Sequence, residues 1–229
     1  YLGVDPAQGG ARMPVVSADL GLASPARPTS FPSYRKYEKR FNYLATPHDT
    51  CAGYLSWTNP YGDQAFSDSL TMWTPDVDAS GTVRFQAHML GISQFPYYHT
   101  MWLRWKRPSD GQLTPVATVA DLTWGGRIEL STDTTFTADR IGSGANSLNF
   151  RGYSYDAFDP EGSYSGGSIQ WYAVTYPRLY RAFRNGLECN SADASGDLEI
   201  EVDGFTAAAL PTVTVYDVTD SAAPRILAV

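Results

Sequence analysis

The clearest pattern in the chain is a two-residue alternation of apolar and polar positions between residues 82 and 106. In the first segment the apolar positions are Val83, Phe85, Ala87 and Met89. In the second segment the corresponding alternate positions are His99, Met101, Leu103 and Trp105. Such a pattern places apolar side chains on one face of an extended strand and polar ones on the other. It predicts two successive half-buried antiparallel strands.

The segment Ile169–Tyr176 predicts a third and stronger strand, apolar on both faces. Alternation assigns Ile169, Trp171 and Ala173 to one face and places Tyr172, Val174 and Tyr176 on the other. A strand that is apolar on both sides is typical of a central position in a sheet. We therefore expect Trp171 to lie in the core between two sheets, together with Val83, Phe85, Met101, Leu103 and Ile169.

Weaker strand signals punctuated by turns occupy much of the rest of the chain. They lie at Val116–Trp124, Ile128–Ser131, Asn146–Gly152, Leu198–Val202 and Val213–Val218, and Thr134–Arg140 fits either a strand or a short helical turn. No stretch longer than about ten residues keeps a helical period. The sequence predicts an all-β fold, a jelly-roll-like antiparallel β-sandwich with a small C-terminal β extension.

Three regions follow from the pattern. Residues 1–33 contain five prolines among Gly, Ala and Ser and are expected to form an extended lead-in or linker. Residues 34–183 hold the sandwich, and residues 184–229 hold the extension. Because a strand has barely begun at Val229 and the first residue is Tyr1 rather than Met, we expect a piece of a longer protein with a further domain downstream.

Composition narrows the possible partners. The net charge is -7 and the isoelectric point is about 4.9, which disfavours a nucleic-acid partner because phosphate binding needs a basic face. A membrane-spanning helix is not predicted, because the sequence contains no run of about 18 apolar residues. An acidic chain rich in Ser, Thr, Gly and Asn is typical of a secreted protein, extracellular or at the surface of a bacterial-type cell.

Cys51 and Cys189 are the only cysteines, and a disulfide and two free thiols are equally compatible with the sequence.

Two groups of residues are candidates for ligand binding. Aromatic residues near turns or on polar strand faces, where a sugar ring can stack, are Trp102, Trp124, Tyr97 and Tyr98. Large rings are also needed to fill a sandwich core, so the structural role competes with the binding role. Loop carboxylates at Asp156, Asp159 and Glu161, and at Asp76 with Asp78, are hard oxygen ligands suited to a structural Ca²⁺ ion. No other cofactor is expected.

Several motifs occur in an order that resembles a known arrangement. They are Tyr34-Arg35, the segment from Asp49 to Trp57, Val83–Leu90 followed by His99–Leu103, Phe136-Thr137 leading to Gly144–Leu148, and Trp171–Arg178 followed by Val215–Asp220. In this order they resemble the β-sandwich that lies directly ahead of the catalytic domain in gingipain-family cysteine peptidases. The two C-terminal motifs are the most specific.

The resemblance implies a non-catalytic accessory or scaffolding domain that positions a downstream peptidase domain of the same chain. The catalytic His and Cys of that family belong to the downstream domain, so no catalytic residue is expected here. Neither Cys51 nor Cys189 has a nearby base in its sequence motif, as an activated thiol requires. The alternative function is that of a carbohydrate-binding module, with a polysaccharide as partner.

Overall fold

The computed structural model describes residues 15–17, 25–38, 42–45, 50–53, 55–59, 66–91, 98–106, 113–114, 122–125, 128–155, 165–192, 198–209 and 213–228. The strands are β1 (Val15–Ser17), β2 (Ser30–Glu38), β3 (Asn42–Ala45), β4 (Thr50–Gly53), β5 (Leu55–Asn59), β6 (Phe66–Thr74), β7 (Thr82–Gly91), β8 (Tyr98–Lys106), β9 (Leu113–Thr114), β10 (Leu122–Gly125), β11 (Glu129–Thr137), β12 (Gly144–Tyr155), β13 (Ser165–Leu179), β14 (Val215–Asp217) and β15 (Arg225–Ala228). Among these residues the one helical element is a 3-10 turn, Ala138–Arg140, and none is a helix long and apolar enough to cross a membrane. The predicted all-β class is confirmed.

Two antiparallel sheets form the main body. Sheet I has the strand order β11-β7-β13-β2, and β5 pairs with the first part of β13. Sheet II has the order β10-β8-β12-β6, and β9 pairs with the end of β8. The short strands β3 and β4 pair with each other as a separate hairpin.

The strand order defines a jelly roll. The innermost pair is β8 with β10, around which β7 pairs with β11, then β6 with β12, and finally β2 with β13. These four nested pairs amount to one long hairpin whose two arms are wound together, with β8–β12 and β7–β13 contacts completing the sheets. This is the double-sheet arrangement of a jelly-roll sandwich, as the alternation pattern predicts.

The core lies between the two sheets. Sheet I supplies most of the described core side chains: Val83, Phe85, Ala87, Met89, Phe136, Ile169, Tyr172, Val174 and Tyr176. Met72 of sheet II belongs to the same buried cluster, as do Ala138 and Ile141 after β11. Val83, Phe85 and Ile169 are thus buried as predicted. The side chains of Met101 and Leu103 lie outside the described residues.

Trp171 is not in the core, and the prediction for it was wrong. The register between β13 and β7 shifts between Ile169 and Trp171, which is a β-bulge. A bulge adds one residue to one strand and reverses the phase of everything after it. Ile169 therefore faces the core in phase with Tyr172 and Val174, while Trp171 is only partly buried.

Two other segments differ from simple alternation. Leu198–Val202 forms no strand: Leu198 makes a single bridge with Ala26, and residues 199–202 belong to no strand. The ambiguous segment Thr134–Arg140 adopts both predicted conformations in succession, because β11 ends at Thr137 and the 3-10 turn follows.

The described residues form two compact units, of which the jelly roll, Thr29–Tyr180 with Glu188–Asp193, is the larger. The smaller unit combines residues from the start of the chain with Arg181–Leu187 and the C-terminal region. Its sheet has the order β1-β15-β14, in which β1 is parallel to β15. A second link within it is the ion pair between Arg181 Nε and Asp203, at 2.9 Å.

Candidate functional site

The outer face of sheet I presents a regular grid of polar side chains around one tryptophan. Its three rows, read across the sheet from β11 to β2, are Ser131, His88, Trp171 and Glu38; Asp133, Gln86, Ala173 and Lys36; and Thr135, Arg84, Thr175 and Tyr34. The bulge in β13 brings Trp171 into this grid. The grid is the best described candidate surface of the jelly roll.

Trp171 is enclosed by side chains from both neighbouring strands. The ring of His88 lies stacked beside it, with centroids 5.9 Å apart and planes 15° apart. On the β2 side, Lys36 Nζ lies 5.0 Å from the centroid of the Trp171 ring, a cation–π contact. Lys36 also contacts Glu38 at 2.7 Å. The indole is therefore already in contact with the protein's own side chains on both strands.

The charged groups on this face form ion pairs with one another. Arg84 Nε donates to both carboxylate oxygens of Asp133, at 2.8 and 3.1 Å, and the amide of Gln86 donates to the same carboxylate at 3.2 Å. The hydrogen bond from Arg84 lowers the pKa of Asp133. Such exposed pairs contribute little stability each, but they place a carboxylate beside both Arg84 and Lys36 on this face.

His88 completes the row. Its Nδ1 lies 2.9 Å from the hydroxyl of Ser131, and its Nε2 lies 3.7 Å from the carboxylate of Glu129. Ser131 and Glu129 therefore lie at opposite ring nitrogens, as a nucleophile and an acid would, but 3.7 Å is longer than a hydrogen bond, so the carboxylate does not hold the ring as it would in a catalytic triad. The row is consistent with structural packing of Trp171.

The faces of sheet II are fixed by the described side chains at one end. Met72 and Asn146 are buried, whereas Trp73 and Ala145, next to them along β6 and β12, are exposed. The register of β12 with β6 and with β8 continues without a shift. Because side chains alternate along a strand, the outer face of sheet II consists of the positions in phase with Trp73 and Ala145.

The register therefore does not assign all four predicted sugar-stacking residues to one face of sheet II. Trp102 and Tyr98 of β8 pair with Arg151 and Tyr155 of β12, so both occupy outer-face positions of sheet II. Trp124 pairs with His99 and has the opposite phase. Tyr97 lies outside the described residues, and so do Asp156, Asp159 and Glu161, the three predicted calcium ligands.

The other predicted calcium ligands have protein partners. Asp78 accepts hydrogen bonds from the Ser80 hydroxyl at 2.7 Å, from the Ser80 backbone N–H at 3.0 Å and from the Ser30 hydroxyl at 2.8 Å. The bonds from Ser80, followed by that from Ser30, lower the pKa of Asp78. Asp76 lies 3.5 Å from Arg178. Among the described residues, no group of three or more metal-ligating side chains converges on one point.

Two residues of the family-like motifs hold the framework together. Asn146, in the motif Gly144–Leu148, donates its side-chain amide to Thr74 Oγ1 at 2.6 Å and to the Gly142 carbonyl at 2.8 Å, while its Oδ1 accepts from Gly142 N–H at 3.0 Å. Gly144 before it has a positive φ of 103°, which glycine adopts without strain. The motif thus ties the turn before β12 to the end of β6.

Arg178, in the motif Trp171–Arg178, is the second framework residue. It is 4% exposed, and its guanidinium lies between the Asp76 carboxylate and the ring of Phe31, whose centroid is 5.9 Å away. Phe31 in turn packs on Tyr180 with centroids 4.9 Å apart. A buried arginine with an acidic partner and an aromatic surface fixes the last residues of β13. In the sequence, the feature that could have indicated this framework role is an arginine near the end of an otherwise apolar strand.

Cys189 is a free thiol and exposed, which answers the question that the sequence left open. Its surroundings do not activate it, because desolvation raises the pKa of the thiol more than nearby Arg178 lowers it. A reactive thiolate needs the opposite balance. The side chain of Cys51 lies outside the described residues.

No protein-family model matches the chain, and no curated protein matches it. Solved structures do. They include dimeric latent PorU from Porphyromonas gingivalis, at 12% identity and a TM-score of 0.49, covering 95% of this chain and 19% of that chain. The CBM36-1 domain of a multidomain xylanase from the hindgut metagenome of Trinervitermes trinervoides matches at 13% identity and a TM-score of 0.28, covering 64% of this chain and 94% of that domain. The VP2 subviral particle of infectious bursal disease virus matches at 16% identity and a TM-score of 0.31, covering 60% of this chain and 38% of that chain.

Proposed function

We propose that this chain is a non-catalytic accessory region of a secreted, gingipain-like cysteine peptidase, in which the jelly roll positions a downstream catalytic domain. The observation that carries the proposal is the role of the motif residues. Asn146 and Arg178, which belong to the segments that resemble the gingipain family, both hold strands and turns in place. A resemblance carried by framework residues supports a shared scaffold rather than a shared active site.

Peptide hydrolysis by the chain itself tests the non-catalytic part. The purified chain should leave Arg- and Lys-containing peptide substrates uncleaved, with and without a reducing agent, and Cys189→Ala should behave identically. Thiol-dependent cleavage that disappears in Cys189→Ala or Cys51→Ala would contradict the accessory role. A thermal melt of each variant confirms that the comparison is made on folded protein.

Binding to the downstream domain tests the scaffolding part. The parent protein's segment after Val229, expressed separately, should bind the purified chain in calorimetry and unfold at a higher temperature in its presence. If the two fail to associate and the downstream segment is equally stable and active alone, the positioning role is wrong.

Carbohydrate binding is the second candidate function. It is favoured by the shared position of Trp102 and Tyr98 on the outer face of sheet II, in phase with Trp73, which is 45% exposed. Flat aromatic rings on one sheet face provide stacking surfaces for sugar rings. Retardation of the purified chain in gels that contain a soluble polysaccharide tests it. Unchanged mobility across neutral and acidic polysaccharides would rule it out.

A further inference from the structure

The two outer faces of the jelly roll differ in how their charges are compensated. On sheet I, Arg84 is paired with Asp133 and Lys36 with Glu38. On sheet II, the outer-face positions of β6, β8 and β12 hold three basic residues, Arg104, Lys106 and Arg151. The chain as a whole has 24 acidic and 17 basic residues, so described strands that place basic but no acidic residues on one face are opposite to the overall balance.

The register sets these three positions close together. Arg104 and Lys106 are two residues apart on one side of β8, about 7 Å along the strand. Arg104 pairs with Asn149 of β12, and Arg151 is two residues further along, so Arg151 is a diagonal neighbour of Arg104 at about 7–8 Å. The register therefore gives three basic residues neighbouring positions on β8 and β12.

No acidic residue shares this face in the described strands. The remaining outer-face positions of β6, β8 and β12 are Ser67, Ser69, Thr71 and Trp73 in β6, Ala145, Ser147, Asn149, Tyr153 and Tyr155 in β12, and Tyr98, Thr100 and Trp102 in β8. Apart from Ala145, they are hydroxyl, amide and aromatic residues. Hydroxyl and amide groups match the hydrogen-bonding groups of a sugar, and aromatic residues match its apolar face.

We infer that the outer face of sheet II binds an acidic polysaccharide, one that carries carboxylate or sulfate groups along a chain of sugars. The inference rests on the second proposed function and adds the class of ligand and the residues that select it. Arg104, Lys106 and Arg151 supply charge complementarity, and arginine in particular forms paired hydrogen bonds with carboxylate and sulfate-like groups. Trp102 and Tyr98 occupy register positions on the same face.

A nucleic acid is another anionic polymer whose rings can stack on aromatic residues, and the composition of the chain disfavours it. A duplex presents a phosphate about every 1.7 Å and is bound through many basic residues. Three basic positions on a chain of net charge -7 fit a ligand whose charges are sparser. DNA therefore belongs in the experiment as a competing ligand.

Calorimetry and affinity electrophoresis with defined polymers test the inference. Polygalacturonate should bind the purified chain, dextran should bind at least about tenfold more weakly, and a short DNA duplex should not compete. Binding of polygalacturonate should weaken as sodium chloride is raised, because the contacts are between exposed charges. Binding that is insensitive to salt would overturn the inference.

A matched pair of variants locates the site. Arg104→Gln combined with Arg151→Gln should weaken polygalacturonate binding about tenfold or more, since each removes a charge-assisted contact. The control is Arg84→Gln with Lys36→Gln, which removes the same charge from the outer face of sheet I and should change the affinity less than about twofold. Equal losses in both double variants would overturn the inference. If the first double variant does not fold, as judged by circular dichroism, Lys106→Gln alone takes its place.

The polymers separate the two levels of the proposal. If dextran and polygalacturonate bind equally tightly, carbohydrate binding is supported and the specificity for acidic polysaccharides is overturned. If neither polymer binds, both carbohydrate binding and acidic specificity are overturned. DNA bound more tightly than polygalacturonate would replace the glycan with a nucleic acid.

Discussion

Tyr37 of β2 and Trp73 of β6 join the two sheets through a single phenol. The backbone N–H of Trp73 donates to the Tyr37 hydroxyl oxygen at 2.8 Å, and that hydroxyl donates to the Trp73 carbonyl oxygen at 3.3 Å. The Tyr37 ring also stacks on Tyr172 of the core, with centroids 5.0 Å apart. One side chain thus links an edge of sheet I, the core and an edge of sheet II.

Removing this hydroxyl tests the link. Tyr37→Phe keeps the stacked ring but removes both hydrogen bonds between the hydroxyl and the Trp73 backbone, so the free energy of unfolding should fall by about 1–2 kcal/mol. Tyr34→Phe is the control, because Tyr34 is 56% exposed and its change should stay within about 0.5 kcal/mol. Urea denaturation of the two variants gives both values. Equal effects would mean that Tyr37 stabilises through its ring alone.

The bulge in β13 predicts a contrast between adjacent residues. Tyr172 is fully buried and Trp171 is not, so Tyr172→Ala should lower the free energy of unfolding by about 3–5 kcal/mol. Trp171→Ala removes contacts with His88 and Lys36 on the outer face and should lower it by less than half as much. The reverse order in chemical denaturation would place Trp171 in the core after all.

The bulge also shows what local sequence reveals about this fold. Val83 and Phe85 were assigned correctly because alternation in β7 is unbroken, and the apolar character of β13 correctly indicated a central strand. The extra residue that turns Trp171 outward leaves no trace in a pattern of apolar residues, because its cause is pairing with β7. Leu198–Val202 alternates as well as a strand does, yet among the described residues its pairing is limited to the bridge between Leu198 and Ala26.

The candidate site depended even more on pairing. Trp102 and Tyr98 were recognisable as aromatic residues in a strand, but their shared face with Arg151 follows from the register between β8 and β12. β8 and β12 are far apart in sequence but paired in the sheet. Composition alone therefore cannot predict that the basic residues of the two strands are neighbours. Arg178 was visible as a motif residue, whereas its burial against Asp76 and Phe31 required the fold.

Acid should weaken the turn around Asp78. The pKa of Asp78 is lowered by its hydrogen bonds from Ser80 and Ser30, so its ionised form stabilises the folded state above the unfolded pKa of about 3.9. This stabilisation is lost as the pH falls through the lower folded pKa. Asp78→Asn should therefore be less stable than the native chain at pH 7, and the difference should shrink between about pH 5 and pH 2.

Titration of the Asp78 carboxyl by NMR provides the check. Ser80→Ala should raise the pKa of Asp78 towards its ordinary value, because it removes the strongest of the three contacts. A pKa that is unaffected by Ser80→Ala would show that the turn does not stabilise the carboxylate as described.

Gly204 of the smaller unit lies at a position where a side chain would be strained. Gly204 has a φ of 84°, and a Cβ there would lie 2.8 Å from the Ala182 carbonyl oxygen and 2.9 Å from Arg181 Cγ. Gly204→Ala should destabilise the unit by more than about 1 kcal/mol. The readout is hydrogen exchange at the Ala182 amide, which donates to Asp203 at 2.8 Å.

Gly186→Ala is the matched control for that substitution. A Cβ at Gly186 would come no closer than 3.9 Å to the Phe183 carbonyl oxygen, an ordinary contact. Exchange at Ala182 should stay close to that of the native chain in this variant. Similar acceleration in both variants would indicate a general loss of stability rather than the strain predicted at Gly204.

The nested order of strand pairs has a consequence for synthesis on the ribosome. β13 lies between β7 and β2 in sheet I, yet it is the last of the jelly-roll strands to be translated. Until Leu179 has emerged, β7 and β2 have no central strand to join them, and the apolar residues of β7 lack half of their cover. Strand pairs between segments so distant in sequence also form slowly. Before β13 inserts, the nascent chain therefore has an unpaired sheet edge to which a chaperone can bind.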